Sequence, residues 1–158
     1  MSIELVIFIG LQASGKSTFY RARLAATHEL VSKDLMRRNR RKARRQGQLV
    51  AEALRAGRSV VVDNTNPTVE ERAPLIALGH AYGARVVGYY FESRAGASLE
   101  RNKARAGRDR VPDVAIFATA KRLERPSYAE GFDTLCYVRI ADHGAFDVAD
   151  WLDHAQGP

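Results

Sequence analysis

One cysteine, Cys136, stands in 158 residues, so no internal disulfide can form. The four histidines, His28, His80, His143 and His154, are scattered, and no Cys/His spacing resembles a zinc site or a histidine-based nucleophile pair. These absences point to a reducing, cytoplasmic setting and leave the histidines without an assigned role. Long apolar runs are missing as well. The N-terminal stretch Ile3 to Ile9 carries Glu4, has no basic leader, and falls far short of the about 20 residues that span a bilayer. Neither a membrane role nor a signal sequence is expected. Repeats and low-complexity linkers are lacking too, and 46% hydrophobic residues in a chain of this length suit one core and a single domain over residues 1–158.

Acidic residues are scarce in one place. Lys33 to Arg58 holds ten basic residues against two acidic ones, +8, while the whole chain carries +7. The rest of the molecule therefore sums to −1, and the entire excess sits in one segment. Concentrated charge of this kind favours a polyanionic partner, although a solvated arginine-rich helix gives the same pattern. Seven of the nine residues from Arg37 to Arg45 are basic, and Asp34 stands at the head of the run.

Apolar runs of strand length alternate with helix-length segments. IELVIFIG, the short Glu29 to Ser32, RSVVVDN, ARVVGYYFE from Ala84 to Glu92, and Leu135 to Ile140 predict strands; Lys16 to Ala26, Pro67 to Tyr82, Arg94 to Ala106 and Pro112 to Arg125 predict helices. Pro126 is the expected stop of the last of these. Asp147 to His154 is read as a closing helix with Trp151 packed inward. The alternation implies a doubly wound α/β sheet of about five parallel strands.

After the first strand, GLQASGKST fits G-x-x-x-x-G-K-[ST], and it opens a helix, which is the context that pattern requires. Glycines let backbone N–H groups turn toward phosphate without a side chain in the way. Gly10, Ala13, Ser14, Gly15, Lys16, Ser17 and Thr18 are therefore expected to cradle ATP, with Lys16 on the β- and γ-phosphates and the Ser17 hydroxyl on Mg2+. ATP is preferred to GTP because the nearest string to a base-reading N-K-x-D is Asn102 to Arg105, which lacks the aspartate. Asp63 ends the VVVD strand, where a carboxylate approaches the metal, or else it is a turn acid in DNTNP.

Phosphate transfer to a hydroxyl benefits from a carboxylate that accepts its proton. Asp34, after the short second strand, is the candidate base, with Arg37 at i+3; the alternative is that Asp34 only caps a helix. NKARAGRDRVP, residues 102–112, places four basic residues around Gly107 and reads as a basic lid, from which Arg105 would stabilise charge on the transferred group. A solvated loop is the plainer alternative.

GLQASGKST, SKDLMR, VVVDNTNP with Arg72 following, RNKARAGRDRVP and RLERPSYAEGF together resemble the kinase domain of polynucleotide kinases, including the kinase half of polynucleotide kinase-phosphatases, over about Val6 to Ile140. The resemblance implies a P-loop kinase that moves the ATP γ-phosphate to 5′-hydroxyl ends of DNA or RNA. It implies Asp34 as general base, Arg37 on the phosphate beside the accepting nucleotide, and Arg105 on the ATP phosphates. Lys16 and Ser17 carry over directly, Asp63 as an acid supporting the site through metal or through Arg37, and Arg38, Asn64 and Arg72 on the acceptor side. One departure is Lys33-Asp34 where the family usually has arginine-aspartate, and no D-x-D-x-T phosphatase signature occurs. A small-molecule kinase for a sugar, nucleoside or nucleotide shares the loop, lid and base but gives no reason for +8 in one segment. An ATP-dependent nucleic-acid-binding switch would explain the charge without the transfer.

Overall fold

The computed structural model describes residues 2–36 and 40–152, the Arg108 side chain excepted. Six strands form one sheet: β1 (Glu4–Ile9), β2 (Glu29–Val31), β3 (Val60–Val62), β4 (Arg85–Phe91), β5 (Thr134–Ile140) and β6 (Phe146–Asp150), in the order β2-β3-β1-β4-β5-β6. The first five are parallel, and β6 runs antiparallel to β5. Between them lie α1 (Lys16–Arg23), α2 (Lys42–Arg55), α3 (Val69–Ala81), α4 (Ala95–Lys103) and α5 (Asp113–Arg122). No described helix is long and apolar enough to cross a membrane.

The period of two along β1 splits the core. Leu5, Ile7 and Ile9 join Val50 and Leu54 of α2 and Leu75 and Ile76 of α3 on one face, whereas Val6 and Phe8 join Phe19 of α1 and Phe91 on the other. With both faces covered, β1 and β3 must be apolar almost throughout, which is why ELVIFI and VVV read as continuous runs. All the parallel strands then deliver their C-terminal ends, and the loops that follow, to one edge.

Three expectations are corrected. Residues 146–150 are a strand, not the start of a helix: Asp142-His143-Gly144 turns the chain, with His143 at φ 62 and Gly144 at φ 75, and Ile140 then pairs with Phe146. Trp151 is nonetheless buried, stacked beside Tyr137 at 6.0 Å. Residues past 152, His154 among them, lie outside the described part. Second, α5 ends at Arg122, ahead of Pro126, because the Glu124 N–H leaves the helical ladder to donate to the Pro67 carbonyl at 2.7 Å. Third, Asp34 does not stand at the N-terminus of the basic helix. It lies in a 3-10 turn, Lys33–Leu35, whose cap is Ser32, and the basic helix α2 starts separately at Lys42.

Candidate active site

The phosphate loop follows β1 and is anchored on both flanks. The Gly10 N–H donates to the Thr65 carbonyl at 3.0 Å, and the Leu11 N–H donates to the Ser93 hydroxyl at 3.2 Å. Gly10 is required by contact as well as by conformation. At φ 157 a Cβ would stand 3.1 Å from both Phe91 Cβ and Ser14 Oγ. Gly15 at φ 97 hands the loop to α1, and Ala13 takes the left-handed region at φ 59.

Lys16 is buried and folds back over the loop, its Nζ donating to the carbonyls of Leu11 at 2.6 Å and Gly10 at 3.0 Å. Burial above all, with Arg105 adding to it and Asp63 and Asp34 opposing, lowers its pKa to about 8. The Ser17 hydroxyl donates to Asp63 Oδ2 at 2.8 Å. Burial raises the Asp63 pKa, against the pull of Lys16 and the Ser17 hydrogen bond. Ser17 and Asp63 are two hard oxygen donors side by side, and they fit Mg2+, which takes few protein ligands and fills its shell with phosphate and water. Among the described residues no group of three or more His, Cys, Asp or Glu side chains builds a metal cage.

A cleft of about 600 Å³ opens on this loop. Gln12, Ala13, Lys16, Ser17 and Asp63 line it together with Lys33, Asp34, Lys42, Asn64, Arg105 and Asp109. The structure therefore brings together the loop lysine, the metal-side pair, the candidate base and the lid arginine. Arg105 reaches the cleft from between α4 and α5, where its Nη1 donates to the Asp109 carbonyl at 3.0 Å. Gly10, Ser14, Gly15 and Thr18 shape the loop and the first turn of α1 without lining the cleft. Arg37 and Arg38 lie outside the described residues.

Two acceptor-side expectations take a different form. Arg72 is 0% exposed and cannot touch a substrate. Its Nε donates to Glu130 Oε1 at 2.9 Å and its Nη1 to the Asn66 carbonyl at 2.9 Å, while the Asn66 amide donates to the Phe8 carbonyl at 2.7 Å. Arg72 thus braces the DNTNP turn from beneath, and Glu130 of PSYAEGF neutralises it. Asn64 does line the cleft, but its Oδ1 accepts from the Lys33 N–H at 2.9 Å and its Nδ2 donates to Gln46 at 2.5 Å. Arg101 was not singled out from the sequence. Its Nη1 donates to the Ala13 carbonyl at 3.2 Å, tying α4 to the phosphate loop, and the only sequence signal was its place at the head of RNKAR.

A family model described as an AAA domain matches residues 5–126. The bifunctional polynucleotide phosphatase/kinase of Schizosaccharomyces pombe is 27% identical over 133 residues, which are 82% of this chain and 32% of that protein. The chain thus spans about a third of the length of that curated relative. Among solved structures, Chaetomium thermophilum Kti12 in complex with ADP-AlF3 superposes with a TM-score of 0.72 at 18% identity, covering 87% of this chain and 90% of that one. A gluconokinase from Sinorhizobium meliloti 1021 gives a TM-score of 0.63 at 18% identity, over 88% and 83%. These two likenesses show the α/β P-loop kinase fold.

Proposed function

The chain belongs to the AAA-domain family and has a P-loop kinase fold, and from that premise we propose that it transfers the γ-phosphate of ATP to the 5′-hydroxyl of DNA or RNA ends. The observation that carries this reading is the shared cleft, which Lys16, Ser17 and Asp63 line together with Asp34 and Lys42. Lys42 is the first residue of α2, so the helix that begins in the basic run opens onto the transfer site. A small acceptor needs no such run, whereas a strand of phosphates does. The relative from Schizosaccharomyces pombe carries a polynucleotide kinase in its name and supports the same acceptor.

In this reading the acceptor hydroxyl oxygen bonds to the γ-phosphorus as the bond to the β–γ bridging oxygen breaks. ADP departs with that electron pair, and the hydroxyl proton passes to Asp34. Lys16 and Arg105 meet charge on the phosphates, and Arg37 and Arg38 grip the acceptor strand. Ser17 and Asp63 would hold Mg2+, which would offset negative charge on the phosphates. The test is γ-labelled ATP with a panel of 5′-hydroxyl DNA, 5′-hydroxyl RNA and small alcohols including gluconate. Label is expected on the oligonucleotides, and Asp34→Asn is expected to lower kcat by about 10² to 10⁴-fold while ATP binding persists. Label on a small alcohol alone would instead establish a small-molecule kinase, and free phosphate with no labelled acceptor an ATP-driven switch.

A further inference from the structure

Gln46 lies on α2 one turn beyond Lys42, is 6% exposed, and makes a side-chain contact outside its own helix. The chain of donors and acceptors leading from it is unambiguous when read from the far end. The backbone N–H of Lys33 can only donate, so the atom of Asn64 facing it at 2.9 Å is the amide oxygen. Asn64 must then turn its NH2 toward α2, and the atom of Gln46 receiving it at 2.5 Å is Oε1. Both ends of the Asn64 amide are thereby used. Two side-chain hydrogen bonds connect the basic helix to the Ser32–Lys33 peptide, one residue ahead of Asp34.

The turn that carries Asp34 is short. It is a single 3-10 turn, Lys33–Leu35, with Asp34 exposed and Leu35 70% exposed. Its hydrogen bonds from Asp34 N–H to Ser32 Oγ at 3.2 Å and from Met36 N–H to the Lys33 carbonyl at 3.0 Å are local. The bond to Asn64 ties it instead to the loop after β3. Without the Gln46 acceptor, Asn64 could flip and set a donor against the Lys33 N–H, and the turn would lose that hold. A base misplaced by about 1 Å can cost about 10²-fold in rate, so a support of this kind acts on turnover.

We propose that Gln46 is a positioning residue for Asp34, acting through Asn64, so that the helix which opens onto the acceptor also sets the base. The proposal rests on the kinase reading above, with Asp34 as its base. A polyanion held at Lys42 lies one helical turn from Gln46, and fixing that part of α2 fixes the orientation of the Asn64 amide. Binding of the acceptor strand and placement of the proton acceptor are then linked.

The experiment compares Gln46→Leu with Gln46→Glu, which retains an oxygen acceptor for Asn64. Two readouts are taken: kcat on a 5′-hydroxyl oligonucleotide, and hydrogen exchange of the Lys33 amide by NMR in the nucleotide-free protein. Gln46→Leu is expected to lower kcat by about 10 to 100-fold with the KM for ATP changed less than about twofold, and to expose the Lys33 amide to exchange. Gln46→Glu is expected to restore both. Asn64→Asp keeps the Lys33 acceptor and can accept from a rotated Gln46 amide, so it should protect the Lys33 amide as the wild type does; Asn64→Leu should not. The double variant Gln46→Leu/Asn64→Leu should be no slower than Asn64→Leu alone. Unchanged Lys33 protection in Gln46→Leu, or a Gln46→Glu as slow as Gln46→Leu, overturns the proposal. If Gln46→Leu does not fold, the Asn64→Asp and Asn64→Leu pair decides by the exchange of the Lys33 amide. A wild type that labels no oligonucleotide removes the kinase reading, while the exchange of Lys33 still decides the bridge.

Discussion

Lys16 stores a cost that pH can reveal. Its pKa in the folded protein is about 8 against 10.5 for an ordinary lysine, because the ammonium is buried. Below pH 8 it is charged in both folded and unfolded states, and the penalty is fully present. Between pH 8 and 10.5 the unfolded chain binds more protons than the native one, so this group's contribution to stability rises with pH, by on the order of 3 kcal/mol in total. Urea unfolding of wild type and Lys16→Met across pH 7 to 10.5 isolates it: the wild type should gain on the variant through that window. A phosphate chain favours the charged lysine, so ATP affinity should fall as pH climbs past about 8, measured by calorimetry. Arg72 makes the opposite case, a charge buried with its partner. Glu130→Ala strands it and should cost about 3 to 5 kcal/mol, whereas Arg72→Met/Glu130→Met should recover much of that loss and still bind oligonucleotide. Lost oligonucleotide binding in the folded double variant would return Arg72 to the acceptor site.

Among the elements, the glycines Gly79 of α3 and Gly47 of α2 differ in what a side chain would meet. Gly79 of α3 faces the sheet, where a Cβ would stand 2.7 Å from Val86 Cγ2 and 3.0 Å from Leu5 Cδ2. Both neighbours are fully buried, and Val86 is β-branched and stiff. Helix propensity favours alanine by about 1 kcal/mol, but overpacking costs about 1 to 3, so Gly79→Ala should destabilise. Gly47 of α2 has nothing within 4 Å of its missing Cβ, and Gly47→Ala should stabilise by about 1 kcal/mol. Thermal unfolding of the two variants checks the opposite signs. The β5–β6 hairpin makes a related point. Phe-Asp-Val-Ala-Asp alternates weakly, and only its pairing with β5 and the seat of Phe146 against Phe19, 5.2 Å between ring centres, make it a strand.

At the scale of the molecule the charge is divided. Arg40, Arg41 and Arg44 are exposed at the start of α2, beside the cleft that Lys42 lines. Each phosphate contacted by such a face releases counterions, giving a log-log salt slope of about −0.7 per contact for a single strand. Replacing Arg40, Arg41, Arg44 and Arg45 with glutamine keeps good helix formers and removes four cations. The variant should bind single strands more weakly with a shallower salt slope and unchanged ATP affinity. An unchanged slope by fluorescence titration would make the run a solvated surface.

The phosphate loop, the parallel strands and the expectation that Asp34, Asp63 and Lys16 belong to one site were legible in the residues, because each rests on local pattern: glycine spacing, period-two burial, an acid at a strand end. What came from the fold was which polar groups spend themselves on protein. Nothing near Arg72 in the chain distinguishes a ligand-binding arginine from a brace; Glu130, 58 residues away, settles it. Asn64 lines the cleft as expected of an acceptor-side residue, but that Lys33 and Gln46 hold the two ends of its amide could be seen only in the fold. The end of α5 was hidden for the same reason, since the Pro67 carbonyl that draws the Glu124 N–H out of the helix lies far away in sequence. Hydrogen bonds across long sequence separations leave no periodicity behind them, and they are what separate the polar residues that brace the fold from those that face the cleft.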